Sequence, residues 1–278
     1  MSIIREKYFD FLNKKKDHVS ESDIRDLLIF NCGLKSYTDL TLHFDEKIKD
    51  EEKLDSLFNR LQDGEMIQYI LGKTAFLGDN YFVNENVLIP RQETEQLVML
   101  TCDLIRYNFD TNNITIADVC TGSGVLAITL KREFKKAEVF ATDISEKALD
   151  VCKKNNGLLQ QDIGLLQGNF IEPLLDLNRK FDVIICNPPY IENEEEIDER
   201  TAKFEPRLAL ISKPATKFYE ILIKNISQLM KKHFLIAFEI GEDLEERLTS
   251  ILDKENLQGF YKFEKDIYGK TRFLFIMK

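Results

Sequence analysis

The chain has no run of eighteen apolar residues among its 278, so no segment reads as a membrane-spanning helix. Its five cysteines, Cys32, Cys102, Cys120, Cys152 and Cys186, are odd in number and contain no CxxC pair. That argues against a disulfide framework or a thiolate zinc site and favours buried thiols of a reducing compartment. Histidine is scarce, and His18, His43 and His233 share no ligand spacing, so each reads as a surface or packing residue. An excess of positive charge is also missing. The formal net charge of −10, with no obvious basic stripe, argues against a nucleic-acid substrate and favours a basic protein partner. The opening "MSIIREKYFDFLNKKK" lacks the ordered regions of a signal peptide and reads as an amphipathic helix of a cytoplasmic protein.

What is present is a chain, 44% hydrophobic, long enough to bury a substantial core. Residues 1–72 show helical patterns without strands. "SESDIRDLLIFNCG" carries Ser20 as N-cap, Asp23 three residues on and Gly33 as a stop. "EEKLDSLFNRLQDG" puts Leu54, Leu57, Phe58 and Leu61 on one face before Gly64. Segments this short need one another, so a small helical bundle is expected. In residues 73–92, "TAFLGDNYFVNENVLIP" places β-rich runs on both sides of Gly-Asp-Asn, a hairpin pattern that would link two domains. A helix is expected over about 94–106.

Residues 93–278 then alternate. Strands are expected at 114–120, 137–144, 163–170, 181–186 and 234–240, with helices near 124–134, 145–155, 216–232 and 243–255. Such alternation predicts an α/β fold with a mostly parallel, doubly wound sheet. "GFYKFEKDIYG" and "TRFLFIMK" would add a C-terminal antiparallel hairpin around a short Gly-Lys turn. The acidic segment 191–210 is a long loop at a strand's C-terminal end, a common place for function.

The first strand-to-helix turn reads "ADVCTGSGVLA". Glycines there let the backbone approach a ligand beside free helix N–H groups, although packing alone can also demand glycine. Asp143 ends the next strand, where an acid can bind ribose hydroxyls. A dinucleotide fingerprint tolerates Ala127 at its third glycine but fits poorly, because Cys120 stands at its first. An acid ahead of the turn, Asp118, also suits a ligand with a cationic amino group. The arrangement resembles the class I (Rossmann-like) S-adenosylmethionine methyltransferase pattern, in which this loop holds the methionine end. In that pattern Asn169 would meet adenine and Phe170 pack on the ring, although Phe170 alone reads equally as core.

"FDVIICNPPYIEN", residues 181–193, runs an apolar strand into Asn187, Pro188, Pro189 and Tyr190. The Asn187 side-chain oxygen and the Pro188 carbonyl form two acceptors, and neither proline has an N–H to compete. Two fixed acceptors match the two hydrogens of a planar amide or amino group, against which Tyr190 can stack. Holding both hydrogens turns a barely nucleophilic nitrogen towards an electrophilic methyl group. Direct transfer of this kind requires neither a metal nor a covalent intermediate. As a bare tetrapeptide, the same residues could be a turn after a strand.

Over most of its length the chain resembles the bacterial release factor glutamine methyltransferases. The resemblance rests on "IQYILGKTAFLG" (67–78), "VNENVLIPRQETEQLV" (83–98), "CTGSG" (120–124), "ATDIS" (141–145), "NPPYI" (187–191), "FEPRLAL" (204–210), "FEIG" (238–241) and "DIYGKTR" (266–272), in that order. It implies methyl transfer from S-adenosylmethionine to the side-chain amide (N5) of the glutamine in the Gly-Gly-Gln loop of peptide-chain release factors. Cys120, Thr121, Gly122, Ser123, Gly124, Asp143, Asn169, Phe170 and Asn187 would then border the cofactor. Asn187 and Pro188 would act on the glutamine, with Pro189 and Tyr190 completing its site. The helical domain would dock the body of the release factor, and the enzyme would work as a cytoplasmic monomer without a metal. Cys120 stands where the family commonly has glycine, and Gln92 where it has proline. Arg91 and Glu93 could approach the methionine end, although Glu93 equally suits a helix start. Ribosomal-protein glutamine methyltransferases share the clamp, as do enzymes that methylate nucleic-acid amino groups. A non-enzymatic S-adenosylmethionine-binding scaffold would need an inert clamp.

Overall fold

The computed structural model describes residues 2–278 and forms two compact units that divide between Lys73 and Thr74. The first unit is helical: α1 (Ile4–Lys14), α2 (Glu21–Cys32), α3 (Tyr37–Leu42), α4 (Glu51–Gln62) and α5 (Ile67–Leu71). Local chemistry sets these boundaries. Ser20 Oγ accepts from Asp23 N at 3.0 Å while Ser20 N donates to Asp23 Oδ2 at 2.9 Å, closing a capping box on α2. Asp50 caps α4, which buries Leu54, Leu57, Phe58 and Leu61. The Phe58 ring stacks on Phe11 with centroids 3.8 Å apart. Each buried side chain of this size stabilises the bundle by about 1.5–3 kcal/mol.

The second unit opens with a two-stranded hairpin, β1 (Thr74–Phe76) and β2 (Asp79–Tyr81). Its turn is Leu77–Gly78, both at positive φ, which matches the twist of a two-residue hairpin. The turn therefore precedes the expected Gly-Asp-Asn: Asp79 and Asn80 lie in the strand, and Asp79 pairs with Arg132. Residues 82–90 form no second long strand. Phe76 and Tyr81 of the hairpin pack into this unit's own core.

The alternation that follows is α6 (Gln92–Asn108), β3 (Thr115–Val119), α7 (Val125–Glu133), β4 (Glu138–Asp143), α8 (Glu146–Leu158), β5 (Gly164–Gln167), α9 (Glu172–Asp176) and β6 (Phe181–Cys186). The chain continues through α10 (Glu199–Phe204), α11 (Lys217–Lys224), α12 (Ile226–Leu229), β7 (Met230–Glu239), α13 (Glu245–Lys254), β8 (Tyr261–Lys265) and β9 (Thr271–Met277). The expected helix over 216–232 ends early. Asn225 interrupts it, its side chain capping Ile221 O at 2.8 Å, and β7 begins at Met230. The acidic segment 191–210 holds a short helix, α10.

The large sheet runs β5-β4-β3-β6-β7-β9-β8, parallel through β7 and antiparallel at β9 and β8. β3 and β6 are covered on both sides. Ile116, Val183 and Ile185 face a core shared with α6 and α7, and Ala117, Ile184 and Cys186 face one shared with α11 and α13. Successive strands lie on opposite sides of β3, so the sheet's direction of winding switches between β3 and β6. Open α/β sheets form their ligand crevice at the strand C-termini of such a point.

Gly124, the N-cap of α7, has φ +85°, and a Cβ built there would run into Cys152 Sγ of α8. Gly124→Ala should destabilise this unit by about 3 kcal/mol, combining backbone strain with overpacking. Gly259→Ala, at φ +81° with nothing near the added carbon, should cost about 1 kcal/mol. Urea unfolding followed by near-ultraviolet absorption of the tyrosines measures the difference, and equal losses would contradict the packing role.

Candidate active site

A cavity of about 340 Å³ opens at the C-terminal ends of β3, β4 and β6. Its floor is the turn after β3, held from behind by three polar side chains. Asp118 Oδ2 accepts from Thr121 Oγ1 at 2.5 Å and from Ala127 N at 3.1 Å, bracing the loop against the first turn of α7. Asp143 Oδ2 accepts from Gly122 N at 2.9 Å and its Oδ1 from Ser145 N at 2.9 Å. Asn155 of α8 donates to Ser123 O at 2.8 Å. A Cβ added at Gly122 would meet nothing within 4 Å, so the backbone here borders open space.

Cys120, Thr121, Gly122, Ser123, Asp143, Asn169, Phe170, Asn187 and Pro189 all line this cavity. Gly124, Pro188 and Tyr190 do not. Gly124 serves helix packing. Pro188 is buried beneath the rim, and Tyr190 packs against the core and donates its hydroxyl to Glu239 Oε1 at 3.4 Å. Asp118 is fully buried and outside the cavity, so it braces the loop and has no ligand to meet. Arg91 and Glu93 are not lining residues either: Arg91 pairs with the buried Glu205 at 2.5 Å, tying the end of α10 to the start of α6. The segment just after Glu205, Pro206 to Ala209, forms one wall.

Cys120 takes φ +63°, a conformation that costs a side chain roughly 1–2 kcal/mol more than glycine. Its thiol lies beside that of Cys186, whose own ionisation burial pushes up strongly. Phe170 is buried, with its ring 4.9 Å from Phe218, and both rings line the cavity. Asn169 is exposed and its amide donates to Glu172 Oε1 at 2.8 Å.

At the rim, Cys186 pairs with Phe238, so Asn187 and Glu239 leave β6 and β7 side by side. Asn187 Nδ2 donates to Thr94 Oγ1 at 3.3 Å, and Thr94 Oγ1 donates to Glu239 Oε2 at 2.7 Å. Thr94 and Glu239 are 4% and 2% exposed, so these bonds are made almost wholly out of solvent. Reasoning from the sequence gave Thr94 and Glu239 no role. The available signal was Glu239 itself, an acid at the end of the apolar strand "FLIAFE".

The Methyltransferase small domain family matches residues 101–205. The release factor glutamine methyltransferase of Flavobacterium psychrophilum is 37% identical over 245 residues, covering 85% of this chain and 84% of that protein. That of Mycoplasma mycoides is 35% identical over 280 residues, covering 96% and 97%. Among solved structures, a methyltransferase from Pyrococcus furiosus superposes with a TM-score of 0.51 at 15% identity, covering 82% of this chain and 98% of that one. The 16S rRNA N2 G1207 methyltransferase of T. thermophilus, solved with AdoMet and guanosine, gives 0.51 at 16% identity and covers 74% and 49%. These two likenesses concern the fold.

Burial drives the Asp118 carboxyl from 3.8 up to about 7, and the same cause drives Glu239 from 4.5 to about 7. An acid with a raised folded value binds its proton more tightly in the folded state. Its stabilising contribution is present below the unfolded value and is lost as pH rises through about 7. The thermal midpoint of the ligand-free protein should therefore fall between pH about 5 and about 8. Asp118→Asn should remove part of that slope in a calorimetric series, and an unchanged slope would contradict the assignment.

Proposed function

The chain belongs to the release factor glutamine methyltransferase family, and on that premise we propose that it transfers the methyl group of S-adenosylmethionine to the side-chain amide nitrogen (N5) of the glutamine in the Gly-Gly-Gln loop of peptide-chain release factors. The observation that carries this reading is the position of Asn187 on the rim of the cavity, with its own NH₂ group engaged by Thr94. Its Oδ1 is thereby the atom left to accept from a substrate. The cavity residues also suit the cofactor: an open backbone at Gly122, the Asp143 carboxylate at the end of β4 for a diol, and aromatic surface at the buried Phe170 and half-buried Phe218 for a planar base. Bound there, S-adenosylmethionine supplies a methyl group on a positively charged sulfur.

The residues of the chain act on the other reactant. Asn187 Oδ1 accepts one hydrogen of the glutamine amide at the rim; the main-chain carbonyl of Pro188, whose residue lies outside the cavity lining, is read as accepting the other and so fixing the amide plane. Because the amide lone pair is delocalised, nucleophilicity depends on bending the nitrogen towards tetrahedral geometry. Two acceptors that stabilise the growing positive charge on nitrogen favour that bend. The nitrogen–carbon bond forms as the carbon–sulfur bond breaks, and the methylated nitrogen then releases a proton to solvent. Pro189 walls the cavity beside the amide, and Tyr190 supports the loop from below.

The helical first unit is read as the surface that docks the body of the release factor, with residues 74–278 performing transfer. Among the described residues no helix is long and apolar enough to cross a membrane. A cytoplasmic monomer acting on a protein, without contact to nucleic acid, completes the reading.

Asn187→Ala should lower kcat by about 100-fold or more, the scale of losing one fixed polar partner of a transition state, with S-adenosylhomocysteine binding retained. Incubating labelled S-adenosylmethionine with release factor, ribosomal protein and DNA in parallel identifies the acceptor. Mass spectrometry should place one methyl group on the Gly-Gly-Gln glutamine. Full activity of Asn187→Ala, or label on ribosomal protein or DNA alone, would overturn the proposal.

A further inference from the structure

Resting on the clamp reading above, we propose that the buried Glu239 acts through Thr94 as a positioning pair that sets which end of the Asn187 amide faces the substrate. The argument follows proton by proton. An ionised Glu239 is an acceptor at both oxygens. The single Thr94 hydroxyl proton is committed to Glu239 Oε2 at 2.7 Å, so Thr94 Oγ1 can only accept from Asn187. An acceptor at that point selects the Asn187 NH₂ group, found at 3.3 Å, and turns Oδ1 outwards. Tyr190 donates to the second carboxylate oxygen at 3.4 Å, and the Tyr219 hydroxyl donates to the Glu239 main-chain carbonyl at 2.9 Å, which holds the residue from the other side.

A proton on Glu239 undoes this polarity. The carboxylic acid can donate to Thr94, whose hydroxyl proton is then free to point at Asn187 Oδ1. The amide reverses and presents two hydrogens to a substrate that itself offers two hydrogens. Such a rim cannot hold an NH₂ group. The relay therefore converts the charge state of one buried carboxyl into the orientation of an amide that it does not touch.

Groups from every neighbouring element bear on that charge state. Glu93 of α6 opposes ionisation and Arg272 of β9 favours it, as do the hydrogen bonds from Thr94 and Tyr190. Desolvation outweighs them and brings the carboxyl to about 7. Activity should accordingly rise with pH through this region as Glu239 ionises.

The test measures kcat, KM and S-adenosylhomocysteine affinity against pH for the full chain and four variants, with release factor as substrate. Thr94→Val, which can neither accept nor donate, should lower kcat roughly tenfold to a hundredfold with KM and cofactor affinity little changed. Thr94→Ser keeps the hydroxyl and should restore kcat to within about threefold of the parent chain. Glu239→Gln should lower kcat and abolish the acid limb centred near 7. Asn187→Ala separates the two ideas. If it is inactive while Thr94→Val matches the parent chain, the clamp stands and the relay fails. If it is fully active, the clamp itself fails. An acid limb that persists in Glu239→Gln, or a Thr94→Ser variant as impaired as Thr94→Val, would also overturn the relay.

Discussion

A primary amide offers an oxygen in a fixed direction only while its own NH₂ group is held. That constraint governs the rim of this sheet. Asn187 stands at the end of β6 with its nitrogen on Thr94, and Thr94 is held by a carboxyl that leaves the neighbouring strand beside it. None of the three residues is adjacent in sequence to another. They meet because β6 and β7 pair in one register and because α6 starts beneath them. A hydrogen bond of this kind contributes about 1 kcal/mol net, but a buried polar group left without a partner costs about 1–3 kcal/mol. The larger penalty for an unmade bond keeps every member of the network paired, so the amide can reverse only if its partners reverse with it.

The glycine-turn side of the cavity uses the same device. Asp118, Asp143 and Asn155 each reach the glycine turn from behind and occupy its hydrogen-bonding groups. The turn thereby keeps its shape without a ligand. Its two glycines divide the work: Gly124 makes room for Cys152 of α8, and Gly122 faces space. Cys120 carries the strain of a left-handed backbone, yet its side chain packs against the core.

Features written in neighbouring residues were legible in the sequence. Ser20 and Asp23 specify the start of α2, and Leu54, Leu57, Phe58 and Leu61 do face the first unit's core. Phe181–Cys186 is read to the residue because an unbroken apolar run ends at Asn187. The alternating pattern and the resemblance also identified the sheet class and the family. The start of β7 was less visible: Lys231, Lys232 and His233 are exposed and polar, so they look like the end of a helix. Leu77–Gly78 was missed as the turn because Asp79 resembles a turn residue until Arg132 claims it from α7. Glu239 was visible as an acid ending an apolar strand, but its pairing with Thr94 was beyond reach, since 145 residues separate them and neither belongs to a short motif with the other.

The most direct measurement is a crystal structure of the protein with a Gly-Gly-Gln peptide and S-adenosylhomocysteine, at a resolution that distinguishes the amide orientations by their hydrogen-bond partners. The expected result is a glutamine nitrogen about 2.7–3.2 Å from both Asn187 Oδ1 and the Pro188 carbonyl, with Asn187 Nδ2 still on Thr94. A glutamine bound through its oxygen, or an Asn187 amide turned the other way with the substrate in place, would contradict it.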